Sequence, residues 1–322
     1  MSADPLPRKA LGRTGLSVTT VGIGTAWIGL TSPMEGTTER HLDEDLGIAT
    51  IHAALEAGVR FIDTAALYVN SRAERIVARA LALRPDLAAD TIVETKCCRL
   101  PGGSDYSDEG TLRSVAGSLE RLGVSRIELI YIHDPPKEAL SAVLGQHGAL
   151  AALRRLQSEG VLGHIGIASN DPIDNTPYIE SGEFAVAVVP DAYSLLSQIA
   201  LERMFPAAER FGMGIVVATP LERGMLATGV RGSTGKHYAR RFAPEVLARV
   251  GQIEDVCRAH GGTILEAALQ YVARHPVVAA SIPGARSPAE ARANADAVRR
   301  PAPDALWTDL APLIQTWDIV AR

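Results

Sequence analysis

Apolar residues recur along this chain with two alternating periods, one suited to buried strands and one to amphipathic helices. From Val21, VGIGTA is a short apolar run that reads as a first strand. It is followed by HLDEDLGIATIHAALEAG, where Leu42, Leu46, Ala49 and Ala53 recur at three- and four-residue intervals and line one helical face, with Gly58 as the stop signal. The pattern then predicts a strand over 60–63, a helix over 71–83, a strand over 91–96 and a helix over 111–122 with the stripe Leu112, Val115, Leu119 and Leu122. RIELIYIH is apolar almost throughout, as expected of a parallel strand covered on both faces.

The alternation continues with a helix over 150–159 and a strand over 164–167, a short helix near Pro177 and a strand over 186–189, and a helix over 201–211 and a strand over 214–218. GGTILEAALQYVARH carries Leu265, Ala268, Leu269 and Val272 on one helical face, VVAASIP supplies an eighth strand, and SPAEARANADAV a further helix. Eight strands interleaved with helices predict an α/β chain closed into a (β/α)8 TIM barrel. A small hairpin is expected before the first strand. Residues 221–237 read as a Gly-rich loop and 242–260 as an added helix, so the barrel gains additional helical segments toward its C-terminus. No composition shift marks a boundary, and residues 1–322 are expected to form one barrel domain.

Composition narrows the function classes. The chain is 47% hydrophobic and 21% charged, and no segment approaches the roughly 20-residue apolar run of a membrane span. MSADPLPRKALG shows no apolar signal-peptide region, so a cytoplasmic protein is expected. A net charge of -5 with dispersed arginines gives no nucleic-acid footprint. Cys97, Cys98 and Cys257 fit neither a disulfide framework nor a zinc site, and no metal is expected. There are only four lysines, and Lys96 closes the apolar run TIVETK, where its charge requires a partner.

Asp63 ends one strand, Tyr68 lies in the loop beyond it, Lys96 ends the next strand and His133 the one after. Consecutive parallel strands bring such endings onto one rim. A tyrosine ordinarily titrates near ~10; a neighbouring lysine favours tyrosinate, and an aspartate can hold that lysine charged and oriented. His133 can donate to the reacting oxygen or polarise a carbonyl. Taken singly, Asp63 reads equally as a cap, Tyr68 as a rim aromatic, Lys96 as half of a surface ion pair and His133 as a strand terminator. It is their joint placement that points to proton transfer.

The motifs LGRTGLSVTTVGIGTA, FIDTAALY, VETK, YIH, GIASN, ATPLERGML and IPGARSPAEARAN together resemble the aldo-keto reductase superfamily over nearly the whole chain. The resemblance implies Asp63, Tyr68, Lys96 and His133 as catalytic residues, with hydride passing directly between a nicotinamide and the substrate. It implies an extended NAD or NADP touching Gly24, Thr25, Asp63, Ser169, Asn170, Thr219, Pro220, Leu221, Gly284, Ala285, Arg286, Glu290 and Asn294. This sequence departs from the family pattern at Pro190, where a glutamine is usual, at Ala218, where an aromatic is usual, and at Gly284, where a lysine is usual. Glu290 stands where arginine or glutamine is frequent; a carboxylate there repels a 2'-phosphate and accepts from free ribose hydroxyls. NAD is therefore favoured, with NADP as the alternative that Arg286 keeps open.

Within the superfamily, YSLL, ATPLERGMLATG and IPGARSPAEARAN are similar to the bacterial aldose 1-dehydrogenase group, which includes fucose and pyridoxal 4-dehydrogenase-like enzymes. The implied reaction oxidises the anomeric C1 hydroxyl of a small aldose, such as L-fucose, to a lactone. NADPH-dependent reduction of small aldehydes, or a pyridoxal/pyridoxine-type dehydrogenase, are the enzymatic alternatives; a nucleotide-binding regulatory or structural subunit is the non-enzyme alternative. Trp27, Tyr68 and His133 are expected to face the sugar or aldehyde, with Ile28, Arg99, Asp105 and Tyr106 nearby. The pattern leaves the oligomeric state open.

Overall fold

Strands this short and this apolar are stable only when each is flanked by others and covered by helices. In the computed structural model, which describes residues 5–31, 40–231, 236–237 and 240–317, the first four barrel strands are β1 (Ile23–Gly24), β2 (Phe61–Asp63), β3 (Ile92–Cys97) and β4 (Ile127–His133). They are followed by β5 (Leu162–Ala168), β6 (Val186–Pro190), β7 (Gly214–Ala218) and β8 (Val278–Ile282). All eight lie in chain order in one sheet. Single parallel bridges from Val21 to Ser281 and from Gly24 to Gly284 join β1 to β8. The (β/α)8 barrel expected from the alternation is therefore the fold.

The principal helices are α1 (Glu44–Glu56), α2 (Ala73–Leu83), α3 (Asp108–Leu122), α4 (Ala149–Ser158), α5 (Pro172–Glu180), α6 (Met204–Phe211), α7 (Pro244–Ala259), α8 (Ile264–Arg274), α9 (Pro288–Asp296) and α10 (Asp304–Leu310). Their limits follow local chemistry more than apolar spacing. The helix expected from 111 starts at Asp108 because the Ser107 side chain accepts from Gly110 N. The one expected from 71 starts only at Ala73, since Val69, Asn70 and Ser71 have positive φ. Where a plain loop is expected after β7, Glu222–Gly224 form a 3-10 turn and Met225–Thr228 a helical turn, with Met225 and Leu226 fully buried. Residues 232–235 and 238–239 of that stretch lie outside the described residues. The added helix is α7, opened by Pro244 in its first turn. No helix among the described residues is long and apolar enough to cross a membrane.

One end of the barrel is shut by the N-terminal hairpin, Arg8–Ala10 paired antiparallel with Ser17–Thr19. Leu11 and Val18 are fully buried and join Phe61, Leu129, Val186 and Val216 in the barrel interior. Lys9 Nζ donates to the carbonyls of Ala273 at 2.6 Å, His275 at 3.1 Å and Val278 at 3.0 Å, which ties the hairpin to the start of β8. Gly12 has φ +52°, and a Cβ there would lie 2.1 Å from the Gly214 nitrogen at the start of β7. The opposite rim carries the C-terminal ends of the strands, where barrel chemistry is ordinarily placed. Gly12→Ala is expected to lower unfolding free energy by roughly 2–4 kcal/mol, combining backbone strain with a backbone clash; an unchanged urea midpoint would show that the hairpin is not a packed floor.

Candidate active site

Among the described residues, non-glycine backbone strain gathers at that rim. The described non-glycine residues with positive φ are Val69, Asn70, Ser71, Cys98, Asp134, Asp191, Thr219, Glu222 and Arg223. Every one lies just beyond the C-terminal end of a barrel strand. Such conformations are costly, most of all for the β-branched Val69 and Thr219, and persist where surrounding contacts enforce them. This clustering singles out one face of the barrel on backbone grounds alone.

The four residues expected to act together do meet on this face. Asp63, the last residue of β2, forms a buried ion pair with Lys96 of β3, whose Nζ also donates to Thr64 O at 3.0 Å. Lys96 is 2% exposed. The loop after β2 returns Tyr68 so that Lys96 Nζ lies 4.5 Å from its ring centroid. His133, at the end of β4, meets Tyr68 edge to face with centroids 5.7 Å apart. Its Nδ1 is buried without a hydrogen-bond partner.

Electrostatics sharpen and partly correct the expectation for this group. Burial alone would lower the Lys96 pKa, but the Asp63 carboxylate, as charge and as hydrogen-bond acceptor, holds it above its ordinary value. Tyr68 is not lowered as its lysine neighbour suggests; burial and the Asp63 charge outweigh Lys96 and push it up to about 12. Burial, reinforced by Lys96 and Arg99, holds His133 well below the usual histidine range. At neutral pH the site therefore rests with a protonated tyrosine, a charged lysine and a neutral imidazole.

A network centred on Asp134, which the sequence does not single out, backs His133. Asp134 accepts from Asn170 N at 2.7 Å and Asn170 Nδ2 at 2.8 Å, and pairs with Arg99. Tyr106 donates its hydroxyl toward His133 O at 2.9 Å and Asp134 O at 2.6 Å. Arg99 is thus committed to a carboxylate of the protein itself. The DPP turn that follows YIH was the available signal.

Around the rest of the rim, Thr25 is buried and its hydroxyl donates to Asp63 O at 2.8 Å, fastening β1 to β2. Gly24 bridges Gly284 across the β1–β8 seam, and a Cβ on Gly284 would meet nothing within 4 Å, leaving open space above that strand end. Trp27 is 40% exposed, with the Arg40 guanidinium 5.3 Å from its ring centroid, whereas Ile28 is fully buried and packs in the core instead of facing a substrate. Ser169 is buried beside Asn170 at the end of β5, and Pro190 and Ala218 are register partners at the ends of β6 and β7. Thr219 Oγ1 accepts from Asp191 N at 2.7 Å, and Pro220 and Leu221 are buried behind it.

A second unforeseen cluster fixes these loops: Arg240 Nη1 donates to Glu222 at 2.7 Å, Arg240 Nη2 meets Asp191 at 3.1 Å, and Arg223 meets the same aspartate at 3.0 Å. At the start of α9, Glu290 accepts from Arg286 N at 2.8 Å and from its guanidinium at 3.0 Å. Ala285 is buried, and Asn294 Nδ2 reaches Gly284 O at 3.4 Å. No group of three His, Cys, Asp or Glu side chains among the described residues is arranged to hold a metal ion.

A model of the Aldo/keto reductase family matches residues 20–314. The chain belongs to this family. Pyridoxal 4-dehydrogenase of Microbacterium luteolum is 29% identical over 94% of this chain and 96% of its own length. D-threo-aldose 1-dehydrogenase of a Pseudomonas species is 29% identical with the same coverage of both chains. Among solved structures, the holo form of the aldo-keto reductase AKR11C1 from Bacillus halodurans superposes with a TM-score of 0.79 at 26% identity, over 97% of both chains. This aldo/keto reductase is accordingly an NAD(P)-dependent oxidoreductase.

His133 gives the reductase a distinct acid sensitivity. A histidine whose folded pKa is depressed binds fewer protons folded than unfolded, so the stability it confers is present above the unfolded value near ~6.5 and is lost as pH falls below it. His133→Gln is expected to remove up to about 1.4 kcal/mol of acid destabilisation per pH unit below that value. Urea unfolding of both proteins at matched pH checks this; parallel pH dependence would show that His133 titrates normally.

Proposed function

We propose that this aldo/keto reductase oxidises the anomeric C1 hydroxyl of a small aldose, such as L-fucose or a related sugar, to the lactone, using NAD. The observation that carries the reading is Tyr68 held between the Lys96 ammonium and the neutral His133 ring. A nicotinamide held along the groove of Gly24, Thr25, Ser169 and Asn170 would supply the acceptor for the C1 hydride. Tyr68 takes the hydroxyl proton, Lys96 stabilises the tyrosinate that forms, and Asp63 keeps Lys96 charged and in place. A neutral His133 can donate one N–H to the reacting oxygen without adding a second positive charge beside Lys96. Because Tyr68 rests protonated, oxidation accelerates as pH rises, while the reverse reduction is level at and below neutral pH, where the acid form is already complete.

Separate features support a sugar and NAD. The exposed Trp27 ring beyond β1 can cover the apolar face of a pyranose, and the likeness to D-threo-aldose 1-dehydrogenase points to the same class. For the cofactor, Asn170 keeps its side-chain oxygen available for a carboxamide, since its Nδ2 is given to Asp134. Gly24, Thr25, Ser169, Thr219, Pro220 and Leu221 would shape the groove. The open space at Gly284, with Ala285, Arg286 and Asn294 around it, would take the adenosine end. Arg286 already carries the Glu290 carboxylate, which disfavours a 2'-phosphate and suits free ribose hydroxyls. The equal likeness to pyridoxal 4-dehydrogenase favours a second reading, oxidation of a pyridoxal-type substrate.

Absorbance of reduced nicotinamide, followed with NAD and NADP over a panel of aldoses, pyridoxal and simple aldehydes, separates these readings; NADPH-specific aldehyde reduction alone would overturn the first. Tyr68→Phe is expected to lower kcat/KM by roughly 10²–10⁴-fold while cofactor binding is kept. Glu290→Gln is expected to raise the NADP-to-NAD ratio of kcat/KM by about tenfold, the effect of removing about 1.4 kcal/mol of charge repulsion. An unmoved ratio places cofactor choice elsewhere.

A further inference from the structure

Beneath the Asp63–Lys96 pair lies a carboxyl group to which the mechanism above gives no role. Glu94 sits two residues before Lys96 on β3 and is therefore on the same inward face. It is fully buried, and it is the register partner of Asp63 across the β2–β3 ladder. Its Oε2 accepts the hydroxyl of Tyr131 from β4, while its Oε1 is buried and receives no hydrogen from any N–H or O–H donor. The ionisable groups facing it are Asp63 from β2, Lys96 from its own strand and Tyr131 from β4. The rest of the interior around it is apolar, with Phe61, Leu129, Val216 and Ala280.

Two carboxylates and one ammonium in this space would leave a net negative charge in an apolar barrel, an arrangement that drives a proton onto one of the acids. A proton on Oε1 also answers the one Glu94 oxygen that lacks a donor, because the acid can then donate to the adjacent Asp63 carboxylate. We propose that Glu94 is a positioning residue: it carries a proton shared with Asp63, so that the two carboxyls hold Lys96 with a single, dispersed negative charge. Burial and the neighbouring Asp63 charge both favour the neutral acid.

The consequence reaches Tyr68 through Lys96. The Asp63 charge is one of the influences that hold Tyr68 protonated. Dispersing that charge onto Glu94 frees more of the Lys96 field for the tyrosinate and brings Tyr68 closer to a working range. The inference rests on the assignment of Tyr68 as proton carrier, but its first test does not.

Infrared difference spectra of the full chain, wild type minus Glu94→Gln, should show at neutral pH the carbonyl stretch of a protonated carboxylic acid. That measurement needs no turnover, so an inactive enzyme would refute the functional reading while leaving this one decided. In pH profiles of NAD-linked oxidation, Glu94→Gln keeps an N–H donor for Asp63 and should leave the rising limb in place. Glu94→Leu removes the donor and should move that limb upward by about one pH unit. The proposal is overturned if the acid band is missing, since Glu94 is then ionised, or if Glu94→Gln moves the limb as far as Glu94→Leu. If Glu94→Leu does not fold, the infrared spectrum and the Glu94→Gln profile still decide the matter.

Discussion

A positive charge at the end of an apolar barrel has to be answered by a negative one, and the Lys96–Asp63 pair is that answer. Taking both ions out of water costs several kcal/mol each, and breaking such a pair from one side costs about 3–5 kcal/mol because the remaining charge is stranded. The pair therefore constrains its surroundings. It locks the ends of β2 and β3 together, Thr64 supplies a further acceptor, and Thr25 extends the tie to β1. Tyr68 stands 4.5 Å from the ammonium so held, whose charge adds to the burial that keeps His133 neutral.

The four-residue group was legible because parallel strands convert a sequence order into a spatial one. Asp63, Lys96 and His133 each close a recognisable apolar run, and closing a run in a barrel means standing on one rim. The eight-strand alternation was legible for the same reason: the apolar runs at VGIGTA, RIELIYIH and VVAASIP are too short and too continuous for anything but a covered strand. Motif resemblance then pointed to the fold and chemistry that the family match bears out.

What the sequence concealed was mostly about partners. Asp134 stands out in no sequence pattern, yet its two oxygens organise Arg99 and Asn170. Arg240 is many residues from Asp191 along the chain, and nothing in apolar spacing announces that it bridges Asp191 to Glu222. Tyr68 is the instructive reversal. The presence of Lys96 nearby was predicted, but the sign of the net effect depends on burial and on Asp63, which only the geometry weighs. Helix starts shifted for a comparable reason, since Ser107 and the positive-φ run at 69–71 act through hydrogen bonds and backbone shape.

The strained residues beyond the strand ends make the two faces of this barrel unequal as ground for mutation. At the hairpin end the backbone is relaxed away from its glycines, so changes there are felt chiefly as gains or losses of packing. At the other end, residues such as Asp134, Asp191 and Thr219 hold conformations that a glycine would adopt more easily, yet each also fastens a neighbour with its side chain. Relaxing the backbone at those points forfeits the contacts that hold the rim together. A more robust form of this protein is therefore to be sought from the floor upward, leaving the rim its tension.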